Sequence, residues 1–394
     1  MPILFLIVVV DLIGFGIIIP LLPFYAEFFQ ASPRMVGLVM ASYSAAQFLA
    51  APFWGRLSDR IGRKPVLTLS LAGAVVGYLL LGMADTLGML FAARILGGFM
   101  AGNISTAFAY VADVTTKENR AKGMGMVGAA FGLGFIAGPA IGGILAGPDP
   151  LNADYQTPAL AAAGLSALAL ALTLVFLKES LPLEVRSSRA ETPRPRGLGF
   201  FREVLTRPTV GLLIALSFLA TFVFAGLEST FAMWSRRQFG WGPEQNGYLF
   251  AAVGLMSALI QGGLVGRMAK RFGERNLIIQ GAVALAVGLA LIPLADTVPM
   301  LALAMAVAAY GFSVISPALN SAISLATADD EQGGVMGVTR SATTLSRALG
   351  PAWAGLIFGL IGRDAPYVVG AVVMVVVALL GFRLLGTATD RDNS

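Results

Sequence analysis

Residues 55–64 read Gly55-Arg56-Leu57-Ser58-Asp59-Arg60-Ile61-Gly62-Arg63-Lys64, a run of charges and glycines set between two long apolar stretches. Its outline returns 211 positions later as Gly266-Arg267-Met268-Ala269-Lys270-Arg271-Phe272-Gly273. Two further landmarks keep nearly the same offset. Gly138-Pro139-Ala140 answers Gly350-Pro351-Ala352 at 212, and Ser32-Pro33 with Gly37 answers Gly242-Pro243 with Gly247 at 210. A chain that repeats itself in register at three separate places is built from two related halves.

The sequence on either side of the loop decides what those halves are made of. Apolar stretches long enough to cross a hydrocarbon core of ~30 Å fall roughly at 3 to 28, 35 to 55, 65 to 84, 87 to 112, 122 to 147 and 157 to 177, and again at 209 to 233, 245 to 266, 276 to 295, 298 to 326, 334 to 361 and 366 to 386. Backbone groups in lipid must be satisfied within their own segment, so these spans read as α-helices. The fold class is therefore an all-α membrane protein of twelve transmembrane helices in two pseudo-symmetric six-helix bundles. Composition agrees: 57% of the 394 residues are hydrophobic and 12% charged, too few polar groups to cover a soluble surface. Pro20 and Pro23 should bend the first span, which carries no cleavage site of a secretory signal and reads as a retained helix.

Orientation follows from the basic residues beside the spans. One set of loops holds Arg56, Arg60, Arg63 and Lys64, then Lys117, Arg120 and Lys122, then seven more from Lys178 to Arg207, then Arg267, Lys270, Arg271 and Arg275. The other set holds only Arg34, Arg236, Arg237 and Arg363. Both termini are expected in the cytoplasm, with the protein in the inner membrane. The formal charge of +5 is thus a matter of topology and does not point to nucleic acid. Residues 1–178 and 209–394 form the two expected bundles. Residues 179–208 link them, and Gly199 to Thr206 is read either as an amphipathic helix on the membrane surface or as a plain tether.

Ionisable residues inside spans are costly and usually line a cavity or pair with one another. Four are candidates on this ground: Asp11, Arg94, Glu228 and Arg347. With no histidine in the chain, any protonation switch must use carboxylates. Asp11 in the first span and Glu228 in the seventh are the candidate proton-coupling residues. Asp11 is either a proton carrier or a structural partner of Arg94. Glu228 either couples and contacts substrate or sits on a solvated rim. Arg94 and Arg347 balance the two carboxylates formally, which leaves zwitterionic and anionic substrates open beside cations. Tyr43, Gln47, Asn103, Phe224, Gln261 and Asn320 are candidates to complete an amphipathic cavity, with helix packing as the alternative for each.

Two motifs have mechanical readings of their own. In the loop, Arg60, Arg63 and Lys64 gather near Asp59, while Gly55 and Gly62 permit tight turns, so ion pairs there can clamp one conformation or simply anchor the helix ends. In the fifth span, Gly134, Gly138, Gly142 and Gly143 repeat near a four-residue spacing, which leaves a face that a second helix can approach closely, and Pro139 removes one backbone donor.

These residues carry a family resemblance that covers essentially the whole chain. Gly55 to Lys64 resembles the hallmark loop of the major facilitator superfamily. Asp11 to Pro23 (DLIGFGIIIPLLP), Leu90 to Gly102 with Arg94, and Gly134 to Gly143 (GFIAGPAIGG) resemble segments of the twelve-helix drug:proton antiporters, including the tetracycline exporters. The resemblance implies the major facilitator fold, and it implies that Asp113, at the inner end of the fourth helix, joins the loop's charge cluster and helps hold the outward-facing state.

The function expected from residues and resemblance together is proton-coupled efflux of a lipophilic or amphipathic small molecule by alternating access, from a monomer needing no cofactor or metal. An enzyme is not expected: without histidine there is no Ser-His pair or HExxH site, and no nucleophile-elbow GxSxG or Walker A sequence occurs. Two alternatives stay open. A lipid, lysolipid or organic-anion exporter is favoured if Arg347 binds a phosphate or carboxylate. A proton-coupled nutrient symporter would use the same fold and carboxylates, and Gly138-Pro139 argues against it.

Overall fold

The structure, a computed structural model, describes residues 2–181, 198–328 and 330–389. Among the described residues the regular elements are helical, with no strand. Ten stretches of the described residues are long and apolar enough to cross a membrane. One of them, Pro243–Leu294, runs for 52 residues. It is two spans joined at Gly273, whose φ of 75° only glycine adopts readily. Another helix, Gln332–Leu360, is as long as its neighbours but carries Arg340 and Arg347, which lower its apolar character without shortening it. The twelve expected spans are therefore present, and the second to third turn repeats the same device: Gly62 between Pro33–Ile61 and Arg63–Gly82 has φ 106°. The two loop glycines lie 211 residues apart, so the sequence repeat is also a backbone repeat.

Several spans are broken or bent, each for an identifiable reason. The first divides into Pro2–Ile18 and Leu22–Phe28 around Pro20, which has no N–H to continue the ladder. Pro52, Pro139, Pro317 and Pro351 sit inside the second, fifth, tenth and eleventh helices. The eighth passes from Pro243–Leu259 through a π-helical turn, Ile260–Leu264. The fourth, expected to be continuous, is interrupted between Leu87–Met100 and Asn103–Val114. Its freed carbonyls find partners on neighbouring helices: Trp54 Nε1 donates to Phe99 O at 2.5 Å, and Ser70 Oγ donates to Met100 O. Gly102 is required there because a Cβ would enter the Trp54 ring.

Loop ends are capped. Ser32 precedes Pro33 and accepts from Met35 N at 3.4 Å, and Thr86 accepts from Met89 N at 3.3 Å. Asp154 accepts from Thr157 Oγ1 and from the N–H groups of Thr157 and Gln156, bonds that hold its carboxyl below the usual range.

The chain divides into two compact units. One takes in the described residues of Met1–Pro193 with Ser235–Leu255; the other takes in those of Arg194–Trp234 and Met256–Ser394. In the first, an apolar core of Leu4, Ile7, Val8, Leu67, Leu71, Tyr110, Val111 and Val127 joins the first, third, fourth and fifth spans. Lipid is as apolar as these side chains, so burial alone does not drive helices together, and close packing of small residues must contribute. In the second unit, Gly281, Gly288 and Gly311 bring the ninth and tenth spans to backbone contact. A short helix, Leu198–Thr206, leads into the seventh span, with Leu205 O against Gly211. Arg207 anchors this corner by donating through Nη1 and Nη2 to Glu331, at 2.5 and 3.0 Å. The proline-rich part of the expected linker, 182–197, lies outside the described residues.

Candidate transport site and conformational charge cluster

Asp11 is 8% exposed, on the part of the first span that faces the fourth and sixth. Both carboxylate oxygens are held by neutral donors: Asn103 Nδ2 donates to Oδ2, and Ser166 Oγ donates to Oδ1 at 3.4 Å. Asn103 can reach because it begins the second segment of the broken fourth span, with its own N–H bonded to Ser70 Oγ at 2.9 Å. The break therefore serves the site as well as the helix. Ser166 was not singled out in the sequence, since a serine in an apolar sixth span carries no local signal.

A cavity beside Asp11 is lined by Phe15, Tyr43, Ser70, Tyr78, Arg94 and Asn103 among others. Arg94 is 6% exposed. Its Cζ lies 4.4 Å above the Tyr43 ring, a cation–π contact, and Tyr43 in turn packs on Phe15 with ring centroids 5.3 Å apart. Among the described residues no ion pair joins Arg94 to Asp11, so the structural pairing considered from the sequence is not made. Arg94 Nε is buried with no hydrogen-bond acceptor among the described residues. Gln47 is half-buried in the second span.

In the second unit, Glu228 and Arg347 meet across the seventh and eleventh spans at 3.6 Å, with side-chain exposures of 16% and 42%. Phe224 stacks on Phe312 with centroids 3.8 Å apart, and Phe222 packs against Trp353 at 4.9 Å. Gln261, in the π turn, and Asn320 are exposed. The two carboxylates are not register equivalents: the residue 210 positions after Asp11 is Thr221, and Glu228 lies about 10 Å further along its helix.

The loop motif forms a compact charge cluster around one arginine. Arg63 is 4% exposed and donates through Nε to Asp113 at 2.8 Å and through Nη1 to Asp59 at 3.0 Å and to Ser58 Oγ at 2.8 Å. Glu179, from the end of the sixth span, accepts the N–H groups of Arg63 at 2.9 Å and Lys64 at 3.1 Å and so caps the start of the third. Asp113 joins the cluster as the resemblance implied. Arg60 and Lys64 do not gather on Asp59 as expected: Arg60 is exposed, and Lys64 Nζ turns to Leu174 O at 2.9 Å. Asp59 lies in the last turn of the second span and Arg63 opens the third, so it is the turn at Gly62 that brings the two together, while Arg60 points away from the pair.

The fifth span, Lys117–Ala146, presents two packing faces. Gly134, Gly138 and Gly142 lie against Leu12, Gly16 and Ile17 of the first span; a Cβ on Gly134 would stand 2.7 Å from Leu12 Cβ. Gly143, expected on that same face, turns to the eighth span, where a Cβ would meet Pro243 O at 2.8 Å and Gly247 Cα at 3.1 Å. Pro139 lies with it, its carbonyl oxygen against the place a Cβ on Gly247 would take, and, having no N–H, it cannot bond the carbonyl four residues back. Phe135 O is left facing Gly254, where a Cβ would come within 2.6 Å.

At the end of the unit far from Asp59, Glu27 accepts from Arg236 Nη1 at 3.0 Å and from Arg237 Nη2 at 3.3 Å. This ion pair was not foreseen, for its partners lie more than two hundred residues apart.

Twelve spans, an internal repeat, and buried charges gathered on kinked helices define a polytopic membrane transporter. The family model described as Major Facilitator Superfamily matches residues 4–267 and 236–393, and the chain belongs to that superfamily. It is 34% identical over 347 residues to the tetracycline resistance protein, class C, of Escherichia coli, covering 87% of this chain and 86% of that one. It is 29% identical over 371 residues to multidrug resistance protein 2 of Bacillus subtilis (strain 168), covering 93% and 90%. A crystal structure of the human organic anion transporter MFSD10 (TETRAN) superposes with a TM-score of 0.70 at 28% identity, covering 96% of this chain and 98% of that one. The protein is thus a major facilitator transporter related to tetracycline and multidrug resistance proteins.

Proposed function

We propose that this transporter exports lipophilic or amphipathic small molecules in exchange for protons, by alternating access, from the inner membrane with both termini in the cytoplasm. The observation that carries the reading is Asp11: a buried carboxyl on a kinked transmembrane helix, bonded to Asn103 and Ser166 and to no cation among the described residues. Its negative charge has no fixed counterion, so neutralisation falls to a proton or to a substrate. Occupation by one then opposes occupation by the other. Tyr43, Phe15 and Arg94 supply an aromatic and cationic wall to the same cavity. The Arg63 cluster holds one conformation by fixing the ends of the second, third, fourth and sixth spans, and the glycine seam of the fifth span lets helices slide without side-chain interlocking.

Purified protein in vesicles with an imposed pH gradient tests this directly, with tetracycline as the first probe because of the relatives' names. Accumulation that follows the gradient, with proton release on adding the probe to protein in detergent, is the expected result. Transport indifferent to the gradient for every compound tried sinks the coupling. A second reading, export of organic anions, is favoured by buried Arg94, whose Nε meets no acceptor among the described residues, and by the likeness to MFSD10. Probes of opposite charge in the same assay separate the two.

A further inference from the structure

The repeated loop reverses charge at two positions between the halves. At the 211-residue offset Asp59 becomes Lys270 and Arg63 becomes Glu274, while Lys64 becomes Arg275 and keeps its sign. In the first half the charges neutralise one another around buried Arg63. In the second half Glu274 turns to Ser321 Oγ at 3.1 Å, while Arg267, Lys270 and Arg271 are exposed, and among the described residues no carboxylate pairs with them.

Arg275 marks where this excess cation is organised. Its counterpart Lys64 spends its donor on a carbonyl at the end of the sixth span, Leu174 O, at 2.9 Å. Arg275 reaches in the same way to the twelfth span, but Nη2 stands 3.4 Å from Phe382 O, and Nε is buried without an acceptor among the described residues. A guanidinium presents donors in a planar fork suited to two oxygens of one phosphate. Retention of basic residues on one side of the membrane accounts for their number; it does not account for an arginine whose buried donor lacks a partner.

We propose that Arg275, supported by Arg271 and Lys270, binds the phosphate of an anionic phospholipid at the junction of the ninth and twelfth spans. The occupant is a lipid because the flanks are apolar and open: Phe272, Leu379 and Phe382 are 47%, 60% and 51% exposed. Acyl chains cover those side chains while the headgroup meets the cations. Arg271, four residues before Arg275, sets its Cζ 5.3 Å from the ring of Phe272.

Native mass spectrometry of the full-length protein in detergent, titrated with phosphatidylglycerol or phosphatidylcholine, tests the site. The wild type should retain one phosphatidylglycerol at least about tenfold more tightly than phosphatidylcholine. Arg275→Lys, which keeps the charge and copies Lys64, should reduce that preference about tenfold, the order of one charge-assisted hydrogen bond. Arg34→Lys should leave it unchanged. Phosphatidylglycerol should raise the unfolding temperature of the wild type but not of Arg275→Lys, with both unfolding alike in phosphatidylcholine, which shows the variant folded. Equal retention of the two lipids, an Arg275→Lys variant that keeps the full preference, or displacement of the lipid by soluble glycerol phosphate at matched concentration overturns the proposal.

Discussion

Gly16 and Gly138 meet backbone to backbone: a Cβ on Gly138 would stand 2.5 Å from the Cα of Gly16, and one on Gly16 would stand 3.1 Å from the Cα of Gly138. The second half repeats the arrangement, with a Cβ on Gly226 falling 3.6 Å from Gly350 O and 3.1 Å from Ala354 Cβ. Gly138→Ala should therefore push the first and fifth spans apart. Overpacking of this kind costs about 1–3 kcal/mol, seen as a lower unfolding temperature in detergent and reduced transport at normal expression. Gly164→Ala, where a Cβ meets nothing within 4 Å, is the matched control and should be silent. Equal tolerance of both changes would show that the seam has slack.

The Arg63 cluster predicts a split between binding and turnover. Asp59→Asn keeps an oxygen for Arg63 Nη1 and removes one charge, so substrate affinity should hold while turnover slows. Arg63→Ala is harsher, because it removes the guanidinium that Asp59 and Asp113 share, at side-chain exposures of 15% and 11%. Breaking a buried pair in this way costs about 3–5 kcal/mol, and poor folding is expected. Normal turnover in Asp59→Asn would reduce the loop to an anchor.

Topology is testable cleanly because the chain has no native cysteine. Single cysteines at Ser32, exposed before the second span, and at Asn119, exposed near the start of the fifth, should report opposite faces. An impermeant maleimide should label Ser32→Cys in intact cells and Asn119→Cys only after permeabilisation. The reverse pattern inverts the proposed orientation.

The spans were legible because lipid forces each one to satisfy its own backbone, so a local apolar run is enough to identify it. Even the eleventh, with Arg340 and Arg347, was readable by register with the fifth. Kinks at prolines were legible for the same local reason. The break at Ala101 and Gly102 was not, since Trp54 and Ser70, from other spans, stabilise its carbonyls. The site divides likewise. Asp11, Arg94 and Asp59 stood out as charges in or beside apolar surroundings and Asp113 was implied by the family resemblance, whereas Ser166, Glu179 and Glu27 act through partners distant in sequence. Gly143 was placed on the wrong face because a four-residue spacing does not distinguish neighbouring helical faces that serve two different partners.

Asp11 gives the decisive test of coupling. Asn at position 11 keeps the shape of the carboxyl and can still hydrogen-bond Ser166 and Asn103, but it carries no charge and takes up no proton. If substrate and proton exclude one another there, the variant is fixed in the state that mimics protonation. Uphill export should then be lost while folding and membrane insertion are retained, and movement down a substrate gradient should survive. The proton released on substrate binding in the wild type should vanish with it. Counterflow of labelled probe, which needs no pH gradient, separates uncoupling from simple failure to transport. Full proton-driven accumulation by Asp11→Asn would make Asp11 structural and pass the role to Glu228, already opposed by Arg347 at 3.6 Å. If Glu228→Gln is equally harmless, proton exchange itself is the wrong mechanism.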